Sequence, residues 1–288
     1  MSNKHKRGSI DQLLFFRHNR DMTLSLRNAI LLLGAGFNLV LFSAFCLSLS
    51  LLVPLPARFP EIREFFGALV SVYSADLIFL FFLQLVSLIA SLFLYKRFRK
   101  TASPEIFFFI LFLLSMGIEG GKIFPPVLRE LQVPVYLYHL VIRLLYMARF
   151  FGIFSLFTAG LFANGMQYQK VSIAYGISLL TAFTLSSLLP VAEASLKTDT
   201  GLDLVTIGDV RIVMITLRIL SVINFIVAWI RNNSREFLWL GLGGSIVLFG
   251  YELALGSDIL WLRIVATAAI IIGIQLFSRR THEIYLWI

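Results

Sequence analysis

Residues 134–162 read PVYLYHLVIRLLYMARFFGIFSLFTAGLF. A helix needs about 20 apolar residues to cross the hydrocarbon layer, and this run exceeds that while holding Arg143 and Arg149 within it. A charge at bilayer depth costs on the order of 3 kcal/mol even on the mildest scale. The segment is therefore expected to span a membrane and to turn its arginines toward a protein interior rather than toward lipid.

The same length test applied outward finds seven further runs. Together they predict an all-α, polytopic membrane helix bundle of eight transmembrane helices near 27–53, 65–95, 105–124, 134–162, 171–192, 210–230, 236–255 and 258–278. The expected organisation is an N-terminal tail over 1–26, a transmembrane domain over 27–278 and a C-terminal tail over 279–288. Composition agrees, because 58% hydrophobic residues against 14% charged, gathered in long runs, does not describe a soluble core.

Basic residues set the orientation. The N-terminal segment through Arg27, the cluster Lys96-Arg97-Phe98-Arg99-Lys100, Lys170, Arg231, Arg235, Arg279 and Arg280 fall on the side of the termini. Arg58, Arg63, Lys122, Arg129 and Lys197 fall on the other, whose longest loop is acidic through Glu193, Asp199, Asp203 and Asp209. This bias places both termini in the cytoplasm, in a cell inner membrane. It also assigns the net charge of +9 to topology and headgroup attraction, with no nucleic acid as partner.

Lys4-His5-Lys6-Arg7 precedes an apolar run far too long for a cleavable signal, so the first helix is expected to be a retained anchor. Ser103-Pro104-Glu105 reads as an N-cap, a proline at the first helical position and an acid at the positive end of the dipole. Pro125-Pro126 ends the third helix, and Pro190 lies near the end of the fifth. Ser9-Ile10-Asp11-Gln12 opens either a short interfacial helix or a disordered tail. Residues 284–288 are apolar enough to fold back onto the interface, and the sequon Asn232-Asn233-Ser234 is cytoplasmic and carries no glycan.

Orientation turns positions into depths. Arg143 lies nine residues after Pro134, and Arg218 eight after Val210, both in the outer half. Glu119 and Glu252 come late on ascending helices, Arg263 early on a descending one, and Asp76 eleven residues down helix two. His139, Arg143, Tyr146, Arg149 and Phe150 fall within an arc of about 120° at 100° per residue. Arg211 and Arg218 share a face of helix six. The candidate ligand-binding set is thus Asp76, Glu119, Lys122, His139, Arg143, Tyr146, Arg149, Arg211, Arg218, Glu252 and Arg263. Arg211 and Arg263 also lie near enough to the boundary to serve as interfacial anchors.

Glycines carry a second pattern. Gly117-Ile118-Glu119 and Gly250-Tyr251-Glu252 share one order at matching depth, but the spacing to the next arginine differs and does not make a repeat. Gly152, Gly160, Gly241, Gly243 and Gly244 allow close helix approach. Gly117, Gly120 and Gly121 bracket Glu119 and soften that helix end.

Much chemistry is absent. Cys46 is the single cysteine, His139 is the single histidine within the spans, and no zinc, Walker or nucleophile-elbow signature occurs. No cofactor or metal is expected. Five arginines and Lys122 facing three acids leave an outward surplus of positive charge that a small anion or an anionic lipid-like ligand would complete. The favoured function is an outward-facing, arginine-rich pocket in a sensor or binding subunit that works through a separate partner. The eight-span plan resembles bacterial membrane sensor domains in architecture alone. The alternatives are a secondary transporter of a small anion or lipid-like solute, a structural subunit of a membrane complex, and an intramembrane enzyme acting on a lipid phosphate with His139 or Glu119 as base.

Overall fold

A computed structural model describes residues 24–47, 60–101, 103–125, 128, 132–189, 208–257 and 259–286, with backbone alone at 60–76, 208–211, 260 and 282–286. The Ser9 capping box, Pro126, Pro190 and the acidic residues Glu193, Asp199 and Asp203 lie outside the described residues.

The described residues are helical, with no strand among them. α1 is Leu24–Leu47 and α2 is Pro60–Phe98. α3, Pro104–Gly117, continues as a 3-10 segment, Ile118–Ile123. α4 is Val135–Ala163, α5 Val171–Leu188, α6 Gly208–Asn232, α7 Arg235–Gly256 and α8 Leu260–Leu286. Among the described residues, eight helices are long and apolar enough to cross a membrane, so the chain has the build of a multi-pass membrane protein.

α3 is the axis of the bundle. Its start is fixed as the sequence predicts: the Ser103 hydroxyl accepts from the Ile106 N–H at 3.4 Å and donates to Glu105 Oε2 at 2.9 Å, with Pro104 in the first turn. Every residue from Pro104 to Gly117 is buried. Its phenylalanines meet a different neighbour on each side. Phe107 packs on Tyr175 of α5, Phe108 stacks on Phe162 of α4, Phe109 stacks on Phe277 of α8, and Phe112 meets the edge of Tyr251 of α7. Polar side chains of α1 and α2 reach the same helix from behind. Asn38 Nδ2 donates to the Leu114 carbonyl at 2.9 Å, and Ser87 Oγ to the Leu113 carbonyl.

Two contacts set how the rest closes around α3. α7 and α8 touch along a glycine seam, where a Cβ on Gly273 would lie 2.8 Å from the Gly243 carbonyl oxygen. At the far end of α4, donors from α6 satisfy its last carbonyls: Arg231 Nη1 reaches Asn164 O at 2.5 Å and Asn232 Nδ2 reaches Ala163 O at 3.1 Å.

The α-helical turn of α3 tightens at Ile118, seven residues before Pro125, where Gly117, Gly120 and Gly121 soften it as expected. Another helix end departs from expectation. At the C-terminal end, helical backbone continues through Leu286, so residues 284–286 extend α8 instead of folding back. Nothing in Arg279-Arg280-Thr281 breaks a helix, and the Thr281 hydroxyl satisfies itself on the Phe277 carbonyl at 2.8 Å.

Candidate functional site

Where α3 tightens, Glu119 is held 2% exposed in the middle of a cluster. Arg149 of α4 grips the carboxylate with two parallel bonds, Nε to Oε1 at 2.5 Å and Nη2 to Oε2 at 3.0 Å. Lys122 Nζ lies 3.1 Å from Oε2. The Tyr251 hydroxyl of α7 donates to Oε1 at 2.7 Å. Each carboxylate oxygen thus receives two partners, and three helices are joined at one point.

Local geometry explains the arrangement. In a 3-10 turn, side chains three apart eclipse, which stacks Lys122 against Glu119. The glycines admit their neighbours: a Cβ at Gly117 would lie 2.2 Å from Asn38 Oδ1 and 2.6 Å from Ser87 Oγ, and one at Gly120 would lie 2.3 Å from Gln84 Oε1. Polar side chains of α1 and α2 therefore press directly on the backbone that carries Glu119.

The other expected residues form separate groups. Arg218 of α6 pairs with Glu252 of α7 through Nη2 at 2.6 Å, the carboxylate side remaining 43% exposed. Arg263 of α8 donates Nε to the Ser257 carbonyl at 2.6 Å and lies over the Phe79 ring of α2 at 5.5 Å, closing the end of α7. Tyr146 is buried among Ile142, Phe150 and Met214. His139 is half-buried beside Tyr138, its Nε2 without a hydrogen-bond partner among the described residues. The side chains of Asp76 and Arg211 lie outside the described residues.

Arg143 departs from the inward stripe expected on this helix, because it is exposed. The buried face of α4 runs along Ile142, Tyr146 and Ile153, with Arg149 at its edge, and Arg143 is about 120° around the helix from Arg149. An arc that wide exceeds what one packed face can cover.

Of the expected set, Glu119, Lys122 and Arg149 are brought together. Tyr251 was missed, although it stands in Gly250-Tyr251-Glu252 beside the acid that was chosen. One residue is about 100° of helix, and the tyrosine, not Glu252, faces α3. Gln84 and Ser87 stand out in the sequence as polar residues of helix two, on the inner half, but they and Asn38 fall outside the expected set because a hydropathy reading does not show that they press on the Glu119 segment.

Gln84 yields a test of its own. It is 1% exposed, and among the described residues neither of its amide atoms has a hydrogen-bond partner. An unsatisfied buried amide costs about 1–3 kcal/mol. Gln84→Met, similar in length and apolar, is expected to leave stability unchanged or raise it by about 1 kcal/mol. Thermal unfolding of the purified protein in detergent measures this, and a marked loss would mean the amide is engaged.

Chemically, a carboxylate gripped by two cations and a phenol has no lone pair left to take a proton, so Glu119 is poorly disposed as a general base. As a clasp it is well formed.

No protein-family model matches the chain, and no solved structure matches it. An "Uncharacterized protein" of Treponema pallidum (strain Nichols) is 28% identical over 94 residues, which is 33% of this chain and 27% of that relative. The chain thus spans about a quarter of the relative's length. The conclusion that stands is architectural: a multi-pass helical membrane protein, built around one short buried helix and a carboxylate clasped by two cations and a tyrosine.

Proposed function

We propose that this chain is an inner-membrane protein with both termini in the cytoplasm, whose outer-half cations bind a small anionic or lipid-like ligand, and that it serves as a sensor or binding subunit through a separate partner. One observation carries the reading: at this level Arg143 is exposed, and Arg218 is bonded through Nη2 at 2.6 Å to a Glu252 that is itself 43% exposed, so both guanidinium groups keep donors to offer an anion.

The site differs from a recess centred on Arg149. That arginine is already occupied, which leaves Arg143 and Arg218, whose Nε has no partner among the described residues, as the groups with donors to offer. The bias of basic residues toward one side of the spans supports the orientation.

A second reading, a structural subunit, is favoured by the fully engaged Glu119. Thermal unfolding in detergent separates the two, with inorganic phosphate, citrate and short-chain phosphatidylglycerol as probes. The ligand reading expects at least one probe to raise the melting temperature of the full chain, and Arg143→Gln together with Arg218→Gln to abolish that rise. Equal melting temperatures under every probe, or a rise unchanged in both variants, would leave the structural reading. Uptake of the stabilising probe into liposomes would instead mark a transporter.

A further inference from the structure

We infer that the Arg218–Glu252 pair, at the open edge between α6 and α7, takes a phospholipid whose headgroup carries a primary ammonium beside its phosphate. This inference rests on the ligand reading above and names the headgroup.

The fold treats two carboxylates of this level differently. Glu119 is enclosed, with two partners on each oxygen. Glu252 has one partner among the described residues, Arg218 Nη2 at 2.6 Å from Oε2, and its side chain is 43% exposed against 12% for the arginine. An ionised carboxylate offers about four lone-pair sites, so most of the accepting capacity of Glu252 is left over. Within a membrane span that capacity is costly to leave unfilled, and a donor arriving from outside the bundle fills it.

Depth and space favour a lipid headgroup as that donor. Glu252 lies four residues before Gly256, the last residue of α7, which is about 6 Å along the helix and within reach of the headgroup layer. Gly256 shares its face, about 40° round, and a Cβ there would meet nothing within 4 Å, so the space beside the helix end is open rather than packed. Away from that end the exposed side chains of both helices are apolar, Ile219 and Ile226 on α6, Phe249 and Leu242 on α7. Acyl chains lie against these while the headgroup stays at the pair.

The sign of the charges selects the headgroup. A headgroup with a phosphate alone meets the Glu252 carboxylate at close range and is repelled, whereas one that carries both charges is complementary to both side chains. Its ammonium donates to the open Glu252 oxygens, and its phosphate accepts from the partly exposed Arg218. A primary ammonium brings three N–H donors to the carboxylate, and a trimethylated one brings none.

The test titrates the full chain in a neutral detergent with phosphatidylethanolamine, phosphatidylcholine or phosphatidylglycerol and reads the retained lipid by native mass spectrometry. Phosphatidylethanolamine is expected to be retained on the order of tenfold more strongly than phosphatidylcholine, which keeps both charges but has no N–H to donate. It is also expected to exceed phosphatidylglycerol, which has no ammonium. Glu252→Gln, a change at a half-exposed side chain, is expected to erase the preference for phosphatidylethanolamine while phosphatidylglycerol is retained at least as well as before. Ranking lipids within one folded protein separates recognition from loss of the fold, and the wild-type ranking needs no variant. Equal retention of phosphatidylethanolamine and phosphatidylcholine, or a preference unchanged in Glu252→Gln, would overturn the inference. Should phosphatidylglycerol be retained best and Arg218→Gln abolish that, the ligand reading stands and the ammonium is wrong. Should Arg218→Gln change the retention of none of the three, both fail. Displacement of the lipid by millimolar free phosphoethanolamine would overturn the lipid in favour of a water-soluble zwitterion.

Discussion

Glu119→Gln is expected to lower the stability of the bundle by about 3–5 kcal/mol, read as a large fall in melting temperature in detergent. The shape of the side chain is kept and its charge is lost, so Arg149 and Lys122, 9% and 6% exposed, lose the carboxylate that lies between them. The reverse change is milder. Arg149→Gln leaves Glu119 still facing Lys122 at 3.1 Å and Tyr251 at 2.7 Å, and is expected to cost about 2 kcal/mol. Tyr251→Phe removes one bond to a charged acceptor and is expected to cost about 1.5 kcal/mol. The order Glu119, Arg149, Tyr251 is the substance of the prediction. If Arg149→Gln proved the most damaging of the three, the cluster would be organised around the guanidinium and not around the carboxylate.

The second large effect is steric. Gly273→Ala is expected to cost about 1–3 kcal/mol, and Gly273→Val more, because the added carbon would meet atoms that cannot turn aside. It would lie 2.6 Å from Val247 Cγ2, 2.8 Å from the Gly243 carbonyl oxygen and 3.0 Å from the Val247 nitrogen. Two of these are backbone, so α7 and α8 must separate as whole helices, which also loosens the stack of Phe277 on Phe109. Gly176 of α5 supplies the comparison, since a Cβ there meets nothing within 4 Å. Gly176→Ala is expected to be neutral or to stabilise by up to about 1 kcal/mol. Thermal unfolding of both variants in one detergent decides the matter, and similar behaviour at the two positions would deny the close α7–α8 contact.

The eight spans were legible because about 20 consecutive apolar residues is a length that soluble helices rarely reach. So was the start of α3, where Ser103, Pro104 and Glu105 each act on the first turn through local chemistry alone. The outer position of Glu119 could be counted from its helix end, whereas no such count brings Arg149, fifteen residues after Pro134, to the same level. Their pairing could not be counted, because sequence gives depth along each helix but not the order of helices around the bundle. Arg143 was misplaced for a related reason: an arc of about 120° can be drawn on a helix wheel, but only a neighbour decides which edge of it is covered.

The central position of α3 was not legible at all. A helix that faces lipid and one that faces protein are written in the same apolar alphabet, and lipid tails are as apolar as leucine. What distinguishes α3 is the phenylalanine run with glycines behind it, a pattern that acquires meaning only once Tyr175, Phe162, Phe277 and Tyr251 are found on its four sides. Tyr251 was overlooked for the same cause, being an aromatic residue among many until its hydroxyl is seen to have a partner.

The contact between Lys122 and Glu119 spans only three residues of one segment, whereas Arg149 follows Glu119 by 30 residues and Tyr251 by 132. During synthesis the third helix therefore enters the bilayer with its acid already neutralised from within, long before the ribosome has delivered the other two partners. A chain carrying its own provisional counter-ion does not have to wait, half inserted, for the rest of the bundle to arrive.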